Sequence, residues 1–458
     1  MRTPRREHSP GRARPGAGWA AAGLALAAVG VALRVNNALD FPLDKGFDAV
    51  AKWEYVALLM TRWTLPAPDA FWSAAHPPLF YALAAAIGRA LGSPEKAVVV
   101  TAVRLIGSAC GLLLVGLAVA LARRWQPESP RRAFLAALLL LFLPVHVYTS
   151  AMLGEELLVA AWVSLCVVGV AWDLAEGRPH PGPGRAALFG LLGGLALLTK
   201  PTGALALAAG AGAYLLDGVR RGDLGGGALR ALALGGAGAA VGGWFYLRNW
   251  IGWGYLYPHG LEIHAIMYRV PPGERGLADY LYVPLATWAH PHLLHPDLLR
   301  SVWGSTYVTL WFEPHRHFLP QHGAELLRLG RWLLALGVLP TAAFVYGAAR
   351  AWRRARARAG GPDAPLLLLT ALFLLGYALF TWRNPYYVTI KAGYLLSLCV
   401  PFAWFASDGL AVWTTRLGRW GRALVWLDLA LLALLCTALF WHGALFAKLD
   451  PPGTLPWR

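Results

Sequence analysis

The chain has 458 residues, of which 57% are hydrophobic and only 14% charged, and it carries 22 tryptophans. A soluble domain of this length has no interior large enough to hide that much apolar surface, so the composition excludes an ordinary soluble fold and predicts a polytopic all-α membrane protein. The net charge of +17 comes from 41 basic against 24 acidic residues; the basic ones are mostly arginines in short clusters between apolar runs, which is how membrane orientation signals are distributed and not how a nucleic-acid-binding face is built.

The first apolar segment, Trp19 to Leu33, follows Arg2, Arg5, Arg6, Arg12 and Arg14. Loops rich in Lys and Arg stay in the cytoplasm, which puts the N-terminus inside. The segment is long for a signal-peptide core and no small-x-small site precedes the next loop, so it reads as an uncleaved first helix. The stretch from Phe41 to Ala84, just after Asp40, then collects Asp44, Asp48, Glu54 and Asp69. Its apolar runs are too short for the ~20 residues a spanning helix needs, and it is predicted to be a large outer loop. His76-Pro77-Pro78 opens an apolar run that ends near Leu91, read as a helix lying on the outer surface.

From there the phase of the chain follows. Val98 to Ala122 runs inward to Arg123, Arg124, Arg131 and Arg132, Ala133 to Tyr148 returns outward, and Leu157 to Trp172 goes back in. Leu188 to Leu198 and Thr202 to Leu216 form a Gly- and Ala-rich hairpin with its tip, Thr199-Lys200-Pro201, outside; such small residues suit close helix packing or a groove for a lipid chain. Leu229 to Tyr246 rises into a second large outer loop, and Trp332 to Ala349 descends to Arg350, Arg353, Arg354, Arg356 and Arg358. Leu366 to Thr381, Ala392 to Trp413 and Ala423 to Phe446 complete about 11 spans, leaving the C-terminus outside. The whole reads as a single membrane domain over residues 1–458, with outer loops at 36–97 and 247–325 and surface helices within them. Lys45, Lys52, Lys96, Lys200, Lys391 and Lys448 all fall on or near the outer side, with the acids.

The order of these features resembles a family. One helix, an outer loop with Asp48, a HisProPro surface helix, Arg104 in the next span, Glu155-Glu156-Leu157 opening a later one and a LeuThrLysPro hairpin tip are together similar to the C-type glycosyltransferases. These use polyprenyl-phosphate-linked sugars and include the protein O-mannosyltransferases and the lipid A aminoarabinose transferases. The resemblance covers roughly the first half in motif and the whole chain in topology. It implies transfer of a sugar from a polyprenyl-phosphate donor to an acceptor hydroxyl at the outer face, by inverting single displacement. Asp48 is the position matching the family's catalytic aspartate. Related bacterial sequences often carry His four residues later, where this chain has Lys52, and the adjacent Asp-Glu pair of the eukaryotic O-mannosyltransferases is absent, which leaves the acceptor (glycan, lipid or protein) open.

Each residue also has a plainer reading. Asp48 is the expected base, with Asp44 in reserve, yet an aspartate after Gly46 is equally a turn or cap residue. Glu155 and Glu156 suit the N-terminus of a helix, or with Asp48 they form carboxylate ligands for a divalent cation such as Mg or Mn. Lys200 and Arg104 are expected at the donor phosphate, against snorkelling for the first and a carboxylate partner for the second. His76, Lys52, Arg248, Lys391 and Tyr394 are expected to complete the phosphate and sugar contacts, with Asn249, Arg383 and Asn384 nearby in sequence. The histidines of the second outer loop, His259, His264, His290, His292, His295, His315 and His317, have no zinc spacing and are assigned to interface contacts and acceptor recognition. Asp428 inside the last span is assigned to helix pairing, and Cys110, Cys166, Cys399 and Cys436, all in apolar stretches, to packing. The alternative functions, a lipid or solute transporter or an envelope-assembly scaffold, share the fold class; a transporter is expected to show two related halves with polar features at mid-membrane, which this chain lacks.

Overall fold

The computed structural model describes residues 17–175, 182–258, 260–291, 295–319, 324–357 and 360–443. The basic N-terminal residues, His259, His292, Arg358 and Lys448 lie outside these, so the expectations for them stay in the sequence. All regular structure among the described residues is helical, apart from one isolated bridge between Pro272 and Tyr386. The first half comprises α1 (Ala17–Asp40), α2 (Ala49–Arg62), α3 (Leu79–Ala90), α4 (Lys96–Trp125), α5 (Pro130–Leu141), α6 (Pro144–Ser150), α7 (Glu156–Ala175), α8 (Pro183–Thr199), α9 (Gly203–Arg221) and α10 (Leu224–Trp253). The second comprises the short α11 (Ala286–Ala289) and α12 (Pro296–Arg300), then α13 (Val302–Trp311), α14 (Ala324–Leu336), α15 (Val338–Ala357), α16 (Asp363–Arg383), α17 (Cys399–Arg416) and α18 (Arg419–Phe440).

The apolar runs read from the sequence fall largely on helices, but the expected count of about 11 spans is not reached among the described residues. Among the described residues, eight helical segments are long and apolar enough to cross a bilayer, or nine if the bent pair α5 and α6, which meet at 53°, is one span. The shortfall lies in the hairpin: α8 has 17 residues, and α9 closes on Asp217, Arg220 and Arg221, so neither meets the length and hydropathy of a free-standing span. Close packing resolves the hairpin's two readings, since a Cβ added at Gly190 would stand 2.3 Å from the Leu234 carbonyl oxygen of α10. Its glycines serve helix contact.

The expected straight span Ala133 to Tyr148 breaks where Pro144 starts a new helix. A break inside a membrane strands carbonyl groups that nothing else there can satisfy. Arg34 supplies the donors: from α1, which runs past its expected end at Leu33 to Asp40, its guanidinium donates to the carbonyls of Leu140 (3.3 Å) and Leu141 (3.1 Å) and sits 2.6 Å from His146 Nδ1.

The antiparallel pair α7 and α8 separates two polar ends. At one, Lys200 meets Glu155 and Glu156; at the other, Arg185 pairs with Asp173 at 3.3 Å. The arginine end also holds Asp408, which accepts from Arg350 (3.0 Å) and Arg354 (2.8 Å), with Arg354 bound as well to Asp363. The acids and lysines of the outer loops therefore gather at the opposite end from the arginine network.

Candidate active site

The segment from Phe41 to Asp48 is pinned at its start by Arg104. Its two terminal nitrogens donate to the carbonyls of Phe41 (2.6 Å) and Pro42 (2.8 Å), and it stands over the Phe41 ring at 5.3 Å. Arg104, expected at the donor phosphate, here holds the loop through its two terminal nitrogens. Asp44, the reserve candidate, pairs with Lys96. Arg248 donates to the Pro66 carbonyl at 2.9 Å and packs on Trp253 at 4.7 Å, so it too clamps a loop. Arg383 is exposed, and Asn384 and Asn249 bond to nearby carbonyls at 3.0 Å and 3.4 Å.

Asp48 occupies the N-cap position of α2, with its carbonyl accepting the first helical bond from Lys52 at 2.8 Å. Its side chain nevertheless makes no cap bond. The backbone is left-handed, φ 55° and ψ 25°, a conformation that aspartate tolerates better than most residues but that still carries strain. In it the carboxylate turns away from the helix and Oδ1 accepts from Trp72 Nε1 at 3.1 Å. Trp72 is in turn held by His264 from the second outer loop, whose Nε2 lies 2.9 Å from the Trp72 carbonyl and whose ring meets the indole edge-on at 4.7 Å. The cap reading of Asp48 leaves this geometry unexplained.

Behind Asp48 lies a buried quartet of charges. Lys52, on the inward face of α2 with Tyr55, Val56 and Leu59, reaches Glu155 at 2.8 Å and Glu156 at 3.6 Å. Lys200, at the hairpin tip, reaches the same two carboxylates at 3.3 Å and 3.2 Å. Two ammonium groups and two carboxylates sum to zero, which is how four buried charges become tolerable. Gly154 makes room for them, since a Cβ there would stand 2.5 Å from Glu156 Oε2 and 3.1 Å from Lys52 Nζ. The glutamates were expected to ligate a divalent cation. As they stand each is matched to two cations of the chain itself, and the described residues contain no group of three acidic, histidine or cysteine side chains placed to hold a metal.

On the other side of Asp48 stands Lys391, whose Nζ lies 4.4 Å from the Phe47 ring and 5.8 Å from the Tyr394 ring; Lys200 covers the same Tyr394 at 4.8 Å. No carboxylate lies within ion-pair distance of Lys391 among the described residues. His76 closes the group with Nδ1 2.7 Å from the Tyr81 hydroxyl.

The charges decide the protonation states. The Asp48 carboxylate is open to solvent yet crowded by protein; burial pushes it up, but Lys391 and Lys52 outweigh burial and hold it below the usual carboxylate range. Burial pushes Lys52 down while Glu155, Glu156 and Asp48 more than compensate, so it stays charged. Glu155, raised by burial, is brought well down by Lys52 and Lys200. Burial dominates at His76 and keeps the imidazole neutral. The arrangement is an ionised, indole-oriented carboxylate between a self-neutralised quartet and a lysine with no acid against it.

Asp48, Lys52, His76, Glu155, Glu156, Lys200, Lys391 and Tyr394 are brought together, while Asp44, Arg104 and Arg248 stay at the rim. Trp72 was not assigned to the site from sequence; His317, expected in interface contacts or acceptor recognition, meets the Phe47 ring edge-on at 4.6 Å. His290 and His295 stack on each other at 4.3 Å, apart from this group. Asp428 lies in α18 with Oδ2 buried and without a hydrogen-bond partner, which gives no support to helix pairing through a bond at that atom. The four cysteines are unpaired and buried or half-buried.

Residues 75–225 match the sequence family described as dolichyl-phosphate-mannose-protein mannosyltransferase. No curated protein sequence matches the chain. Among solved structures, 90% of the chain superimposes on ArnT from Cupriavidus metallidurans bound to undecaprenyl phosphate, with a TM-score of 0.51 and 20% identity. The apo state of the same ArnT gives a TM-score of 0.52 at 16% identity over 93% of the chain. The Archaeoglobus fulgidus oligosaccharyltransferase, in complex with Zn and sulfate, gives 0.54 at 15% identity over 92% of the chain. The chain spans 63% of the length of the lipid-bound ArnT, 76% of the apo ArnT and 53% of that oligosaccharyltransferase.

Proposed function

We propose that this multi-pass membrane protein, which has the fold of the C-type membrane glycosyltransferases, transfers a sugar from a polyprenyl-phosphate donor to an acceptor hydroxyl at the outer face of the cell membrane. The observation that carries the reading is Asp48: a carboxylate at a helix start that does not cap the helix, held by Trp72 and kept ionised by Lys391 and Lys52.

The acceptor hydroxyl gives its proton to a carboxylate oxygen of Asp48 as its oxygen bonds to the anomeric carbon of the donor. The bond from that carbon to the phosphate oxygen breaks, and its electron pair leaves with the polyprenyl phosphate. A single displacement of this kind inverts the anomeric centre. Lys391 is the cation best placed for the departing phosphate, because no carboxylate competes for it; Lys200 and Tyr394 border the same space. Preorganised positive charge of this sort stabilises the transition state more than the bound donor, since charge builds on the phosphate as the bond breaks. Lys52 and the two glutamates hold the floor of the site. A divalent cation does not fit this donor set without displacing Lys52 and Lys200, and no step is assigned to one. The second outer loop, through His264, borders the acceptor side.

The test is sugar release by the purified protein from a panel of undecaprenyl-phosphate-linked hexoses and pentoses. A positioned base contributes ~10²- to 10⁴-fold, so Asp48→Asn is expected to lose that much turnover while keeping its folding. An Asp48→Asn protein that turns over donor at the parent rate sinks the reading, and with it the distinction from a transporter or a scaffold.

A further inference from the structure

One fully buried acid, Glu313, lies outside the charge quartet and away from Asp48 in sequence. Glu313 follows α13 in the sequence Phe312-Glu313-Pro314-His315-Arg316-His317-Phe318, inside the second outer loop. Its Oε2 accepts from the backbone N–H groups of Phe318 (3.0 Å) and Leu319 (3.1 Å), folding the intervening residues into a turn around the carboxylate. Arg316 takes a left-handed conformation within that turn, φ 62°.

Three rings leave the turn, and all three land on the segment that carries Asp48. Phe318 stacks on Phe41, centroids 5.0 Å apart and planes within 9°. His315 and His317 meet the Phe47 ring edge-on at 5.1 Å and 4.6 Å, while Lys391 covers that ring at 4.4 Å. The loop is thus gripped at its first residue and at the residue immediately before Asp48. Lys391 is registered to the same element, because the next residue, Ala392, donates its N–H to Thr309 Oγ1 of α13 at 2.9 Å.

We infer that Glu313 is a positioning residue for the transfer reaction: by folding the 313–319 turn it clamps Phe47 and holds Asp48 in the left-handed backbone that presents its carboxylate to Trp72 beside Lys391. The inference rests on Asp48 being the catalytic base. A strained conformation persists only where its surroundings over-determine it, and the turn supplies those surroundings from a part of the chain about 265 residues away. Loss of the clamp relaxes Asp48 and lowers the rate of the chemical step, while donor binding through the lysines is retained.

The test compares Asp48→Asn, Glu313→Ala, Glu313→Gln, His317→Ala and His317→Phe in the full chain, reading release of undecaprenyl phosphate from the same panel of undecaprenyl-phosphate-linked hexoses and pentoses and the melting temperature of each variant. Misplacing a reacting group by about 1 Å costs ~10²-fold, so Glu313→Ala is expected to lose roughly 10- to 100-fold in kcat, with KM for the donor within about threefold. The amide oxygen of Glu313→Gln accepts the same two N–H groups and restores kcat. His317→Phe keeps an aromatic edge on Phe47 and restores what His317→Ala loses. Parent-like kcat in Glu313→Ala, with Asp48→Asn inactive, overturns the positioning role alone. A His317→Phe protein as slow as His317→Ala also overturns it, by assigning chemistry to the imidazole. Activity in Asp48→Asn, or no release by the parent protein, counts instead against the catalytic reading beneath.

Discussion

At the scale of single residues, the site is governed by how two carboxylate environments differ. Glu155 and Glu156 are neutralised by lysines in ion-pair contact, whereas Asp48 feels its lysines without a contact ion pair and so stays available to a hydroxyl. Lys391 is the largest of the influences that lower Asp48. A cation that lowers a carboxyl favours its ionised form, so removing the cation moves the titration to higher pH. Lys391→Met is therefore expected to shift the acid limb of the pH profile of kcat/KM upward, besides weakening donor binding. A limb that stays in place shows that the titrating group is not Asp48 under the control of Lys391. Lys52 sits differently, fully enclosed between the glutamates. Removing one member of a buried charge group leaves the others unmatched and costs ~3–5 kcal/mol. Lys52→Met is expected to lower stability by about that much, read by equilibrium unfolding in mild detergent, and a loss below ~1 kcal/mol indicates that the quartet is hydrated.

At the scale of elements, the turn at 313–319 makes a claim about stability as well as rate. Burial pushes the Glu313 carboxyl up to about 7, even though the backbone N–H groups of Leu319 and its neighbours pull the other way. The unfolded carboxyl titrates near its ordinary value of 4.5. Between those values the folded state holds a proton that the unfolded state has lost, so this group's contribution is present in full below about 4.5, declines as pH rises and is gone above about 7. The melting temperature of the parent protein relative to Glu313→Gln is expected to fall across that window; a constant difference shows Glu313 ionised throughout. The broken helix makes a second claim at this scale. Arg34→Met strands the carbonyls of Leu140 and Leu141, at ~1–3 kcal/mol for each unsatisfied group, a loss measurable by thermal unfolding.

These elements also mark where reading the sequence succeeds and stops. Composition and apolar runs find every long helix, because a bilayer demands ~20 apolar residues and leaves few other solutions. That Lys200 needs a partner was legible because a charge that interrupts an apolar run needs a counter-charge, and the hairpin phase put it at the end of the acids; Asp48 was singled out by the family resemblance. Arg34 was not legible, because the partners it serves are carbonyl groups exposed by a break at Pro144, more than a hundred residues on. Glu313 and Trp72 lie in polar, proline-rich loops without periodicity, where neither burial nor direction leaves a trace in residue order. Asp44, Arg104 and Arg248 are the right residue types near the outer loops, and residue order does not show that they engage Lys96 and backbone carbonyls.

For the whole molecule the decisive quantity is which side of the membrane the site faces. The two polar ends differ in kind: lysines, acids and aromatic rings at one, and an arginine network around Asp363 and Asp408 at the other. Because positive loops are retained in the cytoplasm, the arginine end is expected inside and the site outside, where a polyprenyl-phosphate sugar presented on the outer leaflet can enter between helices. Helix α4 offers a clean measurement, since its 30 residues extend ~45 Å and its flanking residues Glu95 and Glu128 are both exposed. The native cysteines are buried or half-buried in the helix bundle, so their background with a membrane-impermeant maleimide should be low. In intact spheroplasts Glu95→Cys is expected to react at once and Glu128→Cys only after permeabilisation. The reverse pattern turns the site toward the cytoplasm, and then neither the outward acceptor nor a donor on the outer leaflet can reach Asp48.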